Sequence, residues 1–267
     1  MPDYRRPPID EVAIGVQFPV IPGFFDAHVG ILWQSLRSTY PRVESHPRQE
    51  PPVEAFSPNE GVLTAMQLQL ISSQQVQGRT WLISADDSSL IQVQNTRFVH
   101  NWRHREGEYP HFDDIFAAFS DEYDSFSRML ASEGLAQPQI EQLELTYINW
   151  IEELTSAQFF RPAEVAKVAT PGVGPNPEDQ TWLARYLARD GETPIGRLYV
   201  QCEPAVRVGP GPPSPGTQLA LIYRRPISGF GNPSEMLEHF EFGREAIVRT
   251  FTDLTTAEAH ATWERFQ

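Results

Sequence analysis

The chain has 267 residues, 40% of them apolar, enough to bury one large core or two small ones without disulfides or metals. Its 21 basic and 35 acidic residues give a formal net charge of −14, which disfavours nucleic acid as a partner unless the few cations gather on one face. The single cysteine, Cys202, excludes an internal disulfide framework and a four-cysteine zinc site, and no segment approaches the roughly 18 continuous apolar residues of a membrane helix. The opening "MPDYRRPPIDEV" has no apolar run of signal-peptide length, so a soluble cytoplasmic protein is expected. Every cation except Lys167 is an arginine, which suits planar contact with anions but is equally what genomic base composition can produce.

In "IDEVAIGVQF", Val12, Ile14, Val16 and Phe18 alternate with Glu11, Ala13, Gly15 and Gln17, the period of a half-buried strand. From Phe25 the spacing becomes helical through Val29, Leu32, Trp33, Leu36 and Tyr40, and Pro41 ends the helix. The proline-rich, acidic residues 41–61 predict an extended surface connection. Four strands follow, "TAMQLQL", "RTWLISA", "LIQVQ" and "RFVHNWR", read as an antiparallel meander. A two-residue loop at Asn95 and Thr96 would set Gln94 opposite Arg97, Val93 opposite Phe98, Gln92 opposite Val99 and Ile91 opposite His100. Pro110 then opens a long helix to about Gly134, with Asp113 and Asp114 in its first turn and Phe112, Ile115, Phe116, Phe119, Tyr123, Phe126 and Leu130 as a wide apolar stripe.

A second round follows the same order. "QLELTYINWI" reads as an opening strand and "TSAQFF" as a stunted helix; "AEVAKVA", "QTWLARYLARD", "IGRLYVQCE" and "TQLALIYRR" read as strands. A helix runs from about Pro233 to Phe251 with Leu237, Phe240, Ile247 and Phe251 on one side. A capping box at Thr255 and Glu258 opens a last short helix carrying Trp263. The expected fold is therefore α+β: a curved antiparallel sheet backed by long helices, in a tandem pseudo-repeat of strand, helix, four strands and helix. The halves would be residues 1–137 and 138–267, either as two units or as one continuous domain.

The segments "PPIDEVAIGVQF", "GILWQSLRSTYPRVE", "LIQVQNTRFVHNWR", "GEYPHF", "LTYIN" and "GREAIVRTFTDLTTAEAHATWERF" together resemble a sporadically distributed, functionally uncharacterised family of bacterial and archaeal proteins of about this length. The resemblance spans nearly the whole chain and brings no reaction, cofactor or binding residue with it. Its sporadic distribution implies an accessory, immunity-like or toxin-neutralising role. The doubled element order is also similar to TATA-binding-protein and helix-grip topologies, an analogy of fold that does not reach function.

Catalytic and metal motifs are weak throughout. His100 and His104 are four apart, which on a strand separates them by about 13 Å and prevents them from sharing one zinc ion. Phe98, His100 and Trp102 read instead as packing under a helix. Asp113 with Asp114, Asp86 with Asp87, and Glu152 with Glu153 are adjacent in sequence, so each pair diverges. Cys202 shares a strand face with Leu198 and Val200 and reads as a buried thiol; neither "TPGVGPNPED" nor "GPGPPSPG" ends as a phosphate loop does. No catalytic residue, metal ligand or cofactor is assigned.

What remains is a surface. Gln67, Gln69, Gln92, Gln94, Arg97, Asn101 and Arg103 would share the sheet face away from the helices, with Arg185, Arg197, Tyr199 and Gln201 as counterparts in the second half. These groups hydrogen-bond well and do little acid–base chemistry, which suits recognition of a protein partner or a small anionic ligand, by this face or a groove between the halves, over turnover. Solvated sheet faces are also polar without any function. The alternatives are an enzyme or small-ligand carrier with a pocket between sheet and helices, and a nucleic-acid-binding protein. Arg97→Ala and Arg103→Ala should therefore leave the melting temperature nearly unchanged and weaken whatever binding is found.

Overall fold

The computed structural model describes residues 1–49, 53–56, 78–105, 107, 109–163, 171, 179–207, 212–227 and 233–266. In chain order these form β1 (Ile9–Gln17), α1 (Asp26–Leu36), β2 (Arg42–His46), β3 (Arg79–Ile83), β4 (Ser89–Gln94), β5 (Arg97–Arg103), α2 (Phe112–Ser132), β6 (Gln142–Ile151) and α3 (Ser156–Phe159). A short 3-10 turn at Arg161–Ala163 precedes β7 (Trp182–Asp190), β8 (Thr193–Arg207), β9 (Ser214–Pro226), α4 (Pro233–Leu254) and α5 (Ala257–Thr262). The fold is α+β. Among the described residues nine strands make one sheet, in the order β2-β3-β4-β5-β1-β6-β9-β8-β7, and every neighbouring pair is antiparallel.

Strand parity decides what each face carries. Val12, Ile14 and Val16 are at most 1% exposed and lie beside Phe98, His100 and Trp102 of β5, beneath the helices, while Glu11, Ala13, Gly15 and Gln17 point the other way. The Asn95–Thr96 hairpin has the predicted register, Gln94 to Arg97 through Ile91 to His100. In the second half Leu198, Val200 and Cys202 pair with Tyr223, Leu221 and Leu219 on the helix side. Cys202 is buried as expected, and burial pushes its thiol up to about 12.

The helices cover that apolar side. Phe112, Ile115, Phe119, Phe126 and Leu130 of α2 are buried; Phe98 stacks on Phe126 with ring centroids 5.2 Å apart. Each such ring withdrawn from water contributes about 1.5–3 kcal/mol. Gly134, at φ +68°, ends α2: its N–H bonds to Ala131 and that of Leu135 to Leu130, a left-handed cap that suits glycine. Phe116 and Phe119 both meet Phe240 of α4 at 5.9 Å, so the two long helices share a core.

Three expectations change. Residues 42–46 are not a free connection but edge strand β2, paired with β3; its side chains are exposed or half-buried, so it has no period-two apolar signal. The last helix is capped by Thr256, whose hydroxyl accepts from Ala259 N–H, because Thr255 is buried and donates to the Phe251 carbonyl. In α4 the buried set is Met236, Phe240, Ile247 and Phe251, with Leu237 half-buried. The predicted strand "TAMQLQL" and most of "AEVAKVA" lie outside the described residues.

Candidate functional site on the sheet face

Parity places Gln92, Gln94, Arg97, Asn101 and Arg103 on the face away from the helices, with Arg185, Arg197 and Tyr199 on the same side of β7 and β8. Gln67 and Gln69 lie outside the described residues. The expected solvated surface is not what forms, for Gln94, Arg97 and Asn101 are 1%, 9% and 2% exposed. They are buried because the chain after β2 folds back across the sheet and because carboxylates from neighbouring strands close on the arginines.

The returning segment is held as a bound peptide would be. Gln94 takes the N–H of Gln49 (2.8 Å) and donates to its carbonyl (2.7 Å), and Gln142 takes the N–H of Glu54 (2.7 Å). Arg197 donates to the Ala55 carbonyl (2.8 Å), and its guanidinium lies 5.0 Å from the Phe56 ring. The Glu54 carboxylate, only 3% exposed, pairs with Arg197, takes the Tyr199 hydroxyl at 2.5 Å and lies 3.9 Å from Arg224.

These contacts belong to one row of charge across the sheet: Arg97, Glu144, Arg224, Glu54 and Arg197. Glu144 of β6 accepts from Arg97 on one oxygen and from Arg224 Nε on the other (2.6 Å). Burial alone would raise its carboxyl, but Arg97 and Arg224 outweigh burial and hold it below the usual carboxylate range. Burial would likewise lower the Arg224 guanidinium, and Glu144 more than reverses this. Arg224 also lies over the Tyr199 ring at 5.0 Å.

A second polar cluster lies towards the β2 edge. Gln92 takes Arg79 Nη1 (2.9 Å) and donates to Asn101 (2.7 Å), which donates to Glu11. Burial raises the Glu11 carboxyl, against the Asn101 bond and the charge of Arg103. Asp87, in a left-handed turn at φ +63°, gathers Arg42 (2.7 Å), Arg103 (2.6 Å) and Arg105 (2.8 Å). Arg97 and Arg103 are therefore tied into the fold, and their removal is expected to cost stability, contrary to the open-face expectation. Arg185 differs: it is exposed on the edge strand opposite Tyr199 and forms no hydrogen bond or ion pair with any described residue.

Glu144 and Arg224 were within reach of the same parity reasoning, since both alternate onto the face of Arg97. Glu54 had no local signal; only the path of the backbone brings it there. The chain matches no known family model, and no curated protein matches it in sequence.

Proposed function

We propose that this is a recognition protein that binds an acidic partner, or a small anionic ligand, through the sheet face away from the helices. One observation carries the reading: the face already grips pieces of its own chain, Gln49 and residues 53–56, by bonds from Gln94, Gln142 and Arg197 to their main chain and by the Glu54 carboxylate held between Arg197 and Tyr199. Arg185 and the exposed Leu183 and Leu187 extend the same face to the sheet edge, where a partner can reach them. Arg97, Arg103 and Arg197 each already face a carboxylate, which leaves Arg185 for an incoming anion; that suits one anionic group and not a phosphate backbone, which needs several cations.

The proposal includes the tandem pseudo-repeat. It is supported by the strand order, in which β1 and β6 pair at the centre and each is flanked outward by the last strand of its own half, β5 or β9. The resemblance to a sporadically distributed family adds an accessory or toxin-neutralising role in the cytoplasm. The test is capture from source-cell extract with wild-type protein and with Arg185→Glu, a charge reversal at an exposed position. A partner retained by wild type and lost by the variant supports the reading; one retained equally by Arg185→Glu and by Arg197→Glu sinks it.

A further inference from the structure

On the opposite side of the sheet, a cleft of about 560 Å³ opens between β5, the β3–β4 turn and the first half of α2. That volume is in the range of roughly 300–1,000 Å³ that small-molecule sites occupy. Trp102, Ile115 and Ala118 are among its apolar lining, and Tyr40, Ser89 and His100 are among its polar residues, with Asp86 and Asp114.

His100 is 2% exposed and is held from behind: its Nδ1 lies 2.7 Å from Glu122 Oε2. Glu122, itself 7% exposed, takes the Tyr40 hydroxyl on its other oxygen, and that hydroxyl lies 3.0 Å from Ser89 Oγ. Burial, then the charge of Glu122, pushes the Tyr40 phenol far above its ordinary value, so it stays a donor. The Tyr40 hydroxyl thus donates to one Glu122 oxygen while His100 Nδ1 meets the other, which orients the imidazole with Nδ1 towards the carboxylate. With the proton on Nδ1, Nε2 offers a lone pair. The ring lines the cleft, and no described residue bonds Nε2. Packing under α2 needs only an apolar side chain here; a carboxylate–imidazole pair backed by a phenol costs desolvation that packing alone does not repay.

We propose that this cleft is a second binding site, for a small molecule with an apolar ring or chain and one hydroxyl or amino group, whose donor hydrogen is directed at Nε2 of His100. Asp86 and Asp114 stand at the lining, and Ser84 and Ser88 hold the Asp86 carboxyl down at about 2, so anions are disfavoured. The site is independent of the sheet-face reading, since it lies beneath the helices.

The test is nitrogen NMR of the histidine rings in the isotopically labelled full chain, with His100→Gln assigning the signal. Phenol and benzylamine serve as probes and benzoate as the anionic counterpart. The free protein should show the Nδ1–H tautomer at His100. Both probes should move its Nε2 signal saturably, with Kd of about 1 mM, and benzoate should bind about tenfold more weakly because its charge would be desolvated facing carboxylates. Ala118→Phe fills the cleft from a half-exposed helix position and should abolish the response without lowering Tm. An Nε2 signal unmoved by both probes overturns the proposal, as does benzoate binding as tightly as benzylamine or an undiminished response in folded Ala118→Phe. The wild-type titration decides alone if that variant does not fold.

Discussion

Glu144→Gln tests whether the charge row on the sheet face is as dry as the geometry implies. The carboxylate serves two guanidiniums at once, Arg97 through one oxygen and Arg224 through the other, and the three side chains are 13%, 10% and 16% exposed. Glutamine keeps one acceptor and turns an amide donor towards the second arginine, so one guanidinium loses its partner and meets a donor. Removing one member of a buried ion pair costs about 3–5 kcal/mol. The residual exposure admits some water, which places the expected loss near the lower end, about 3 kcal/mol. At about 2–4 °C per kcal/mol for a chain approaching this size, Tm should fall by roughly 6–12 °C. Urea denaturation and calorimetry read this directly, and the loss should persist in about 0.5 M salt, which screens exposed pairs far more than buried ones. The sign with pH follows from the lowered carboxyl. The stabilisation is present above the unfolded carboxylate range and is lost as pH falls through the lower folded value, so the gap between wild type and variant should close only in strong acid. A Tm loss under about 2 °C, or one that vanishes in salt, would mean that these arginines are hydrated and the face is open.

Glu11→Gln should do the opposite: its carboxyl is raised by burial, so the folded state binds that proton more tightly and the ionised form is destabilising near neutrality. The variant, still able to accept from Asn101, should melt higher than wild type at neutral pH, with the difference closing as pH falls through the folded value; a lower Tm at neutral pH would show that the charge of Arg103 governs instead. Gly243→Ala, although it improves helix propensity, should destabilise by about 1–3 kcal/mol, because a Cβ there runs into the Tyr223 ring across the α4–β9 contact. A stabilised variant in urea denaturation would show that the ring gives way. Cys202, 2% exposed and with its thiol pushed up to about 12, should ignore an aromatic disulfide reagent in the native state and react once unfolded; native-state reaction within minutes would place it at the surface.

How much of this was legible in the sequence differs between fold and site, for a physical reason. Strand parity and helical period are local, so Val12, Ile14 and Val16, the Phe112-to-Leu130 stripe and the hairpin at Asn95 and Thr96 could be read from a few neighbouring residues each. Edge strand β2 could not, because an edge paired through its backbone and wet on both faces has no apolar period. Parity also found the correct face for Arg97, Asn101 and Arg197. It could not tell whether that face is wet, since burial there is decided by Glu54 and Gln49, which arrive from a proline-rich stretch more than 40 residues from Arg97 in the chain. His100 shows the converse. Its parity correctly sets it under α2, and that alone makes it look inert; only the meeting of Glu122 from the helix with Tyr40, four residues past α1, turns a packed ring into one held by a carboxylate at the lining of a cleft. Chemistry assembled from three distant segments leaves each segment ordinary, and in a strand the residue to suspect is a polar one at an apolar parity position, because burial there requires a partner from elsewhere in the fold.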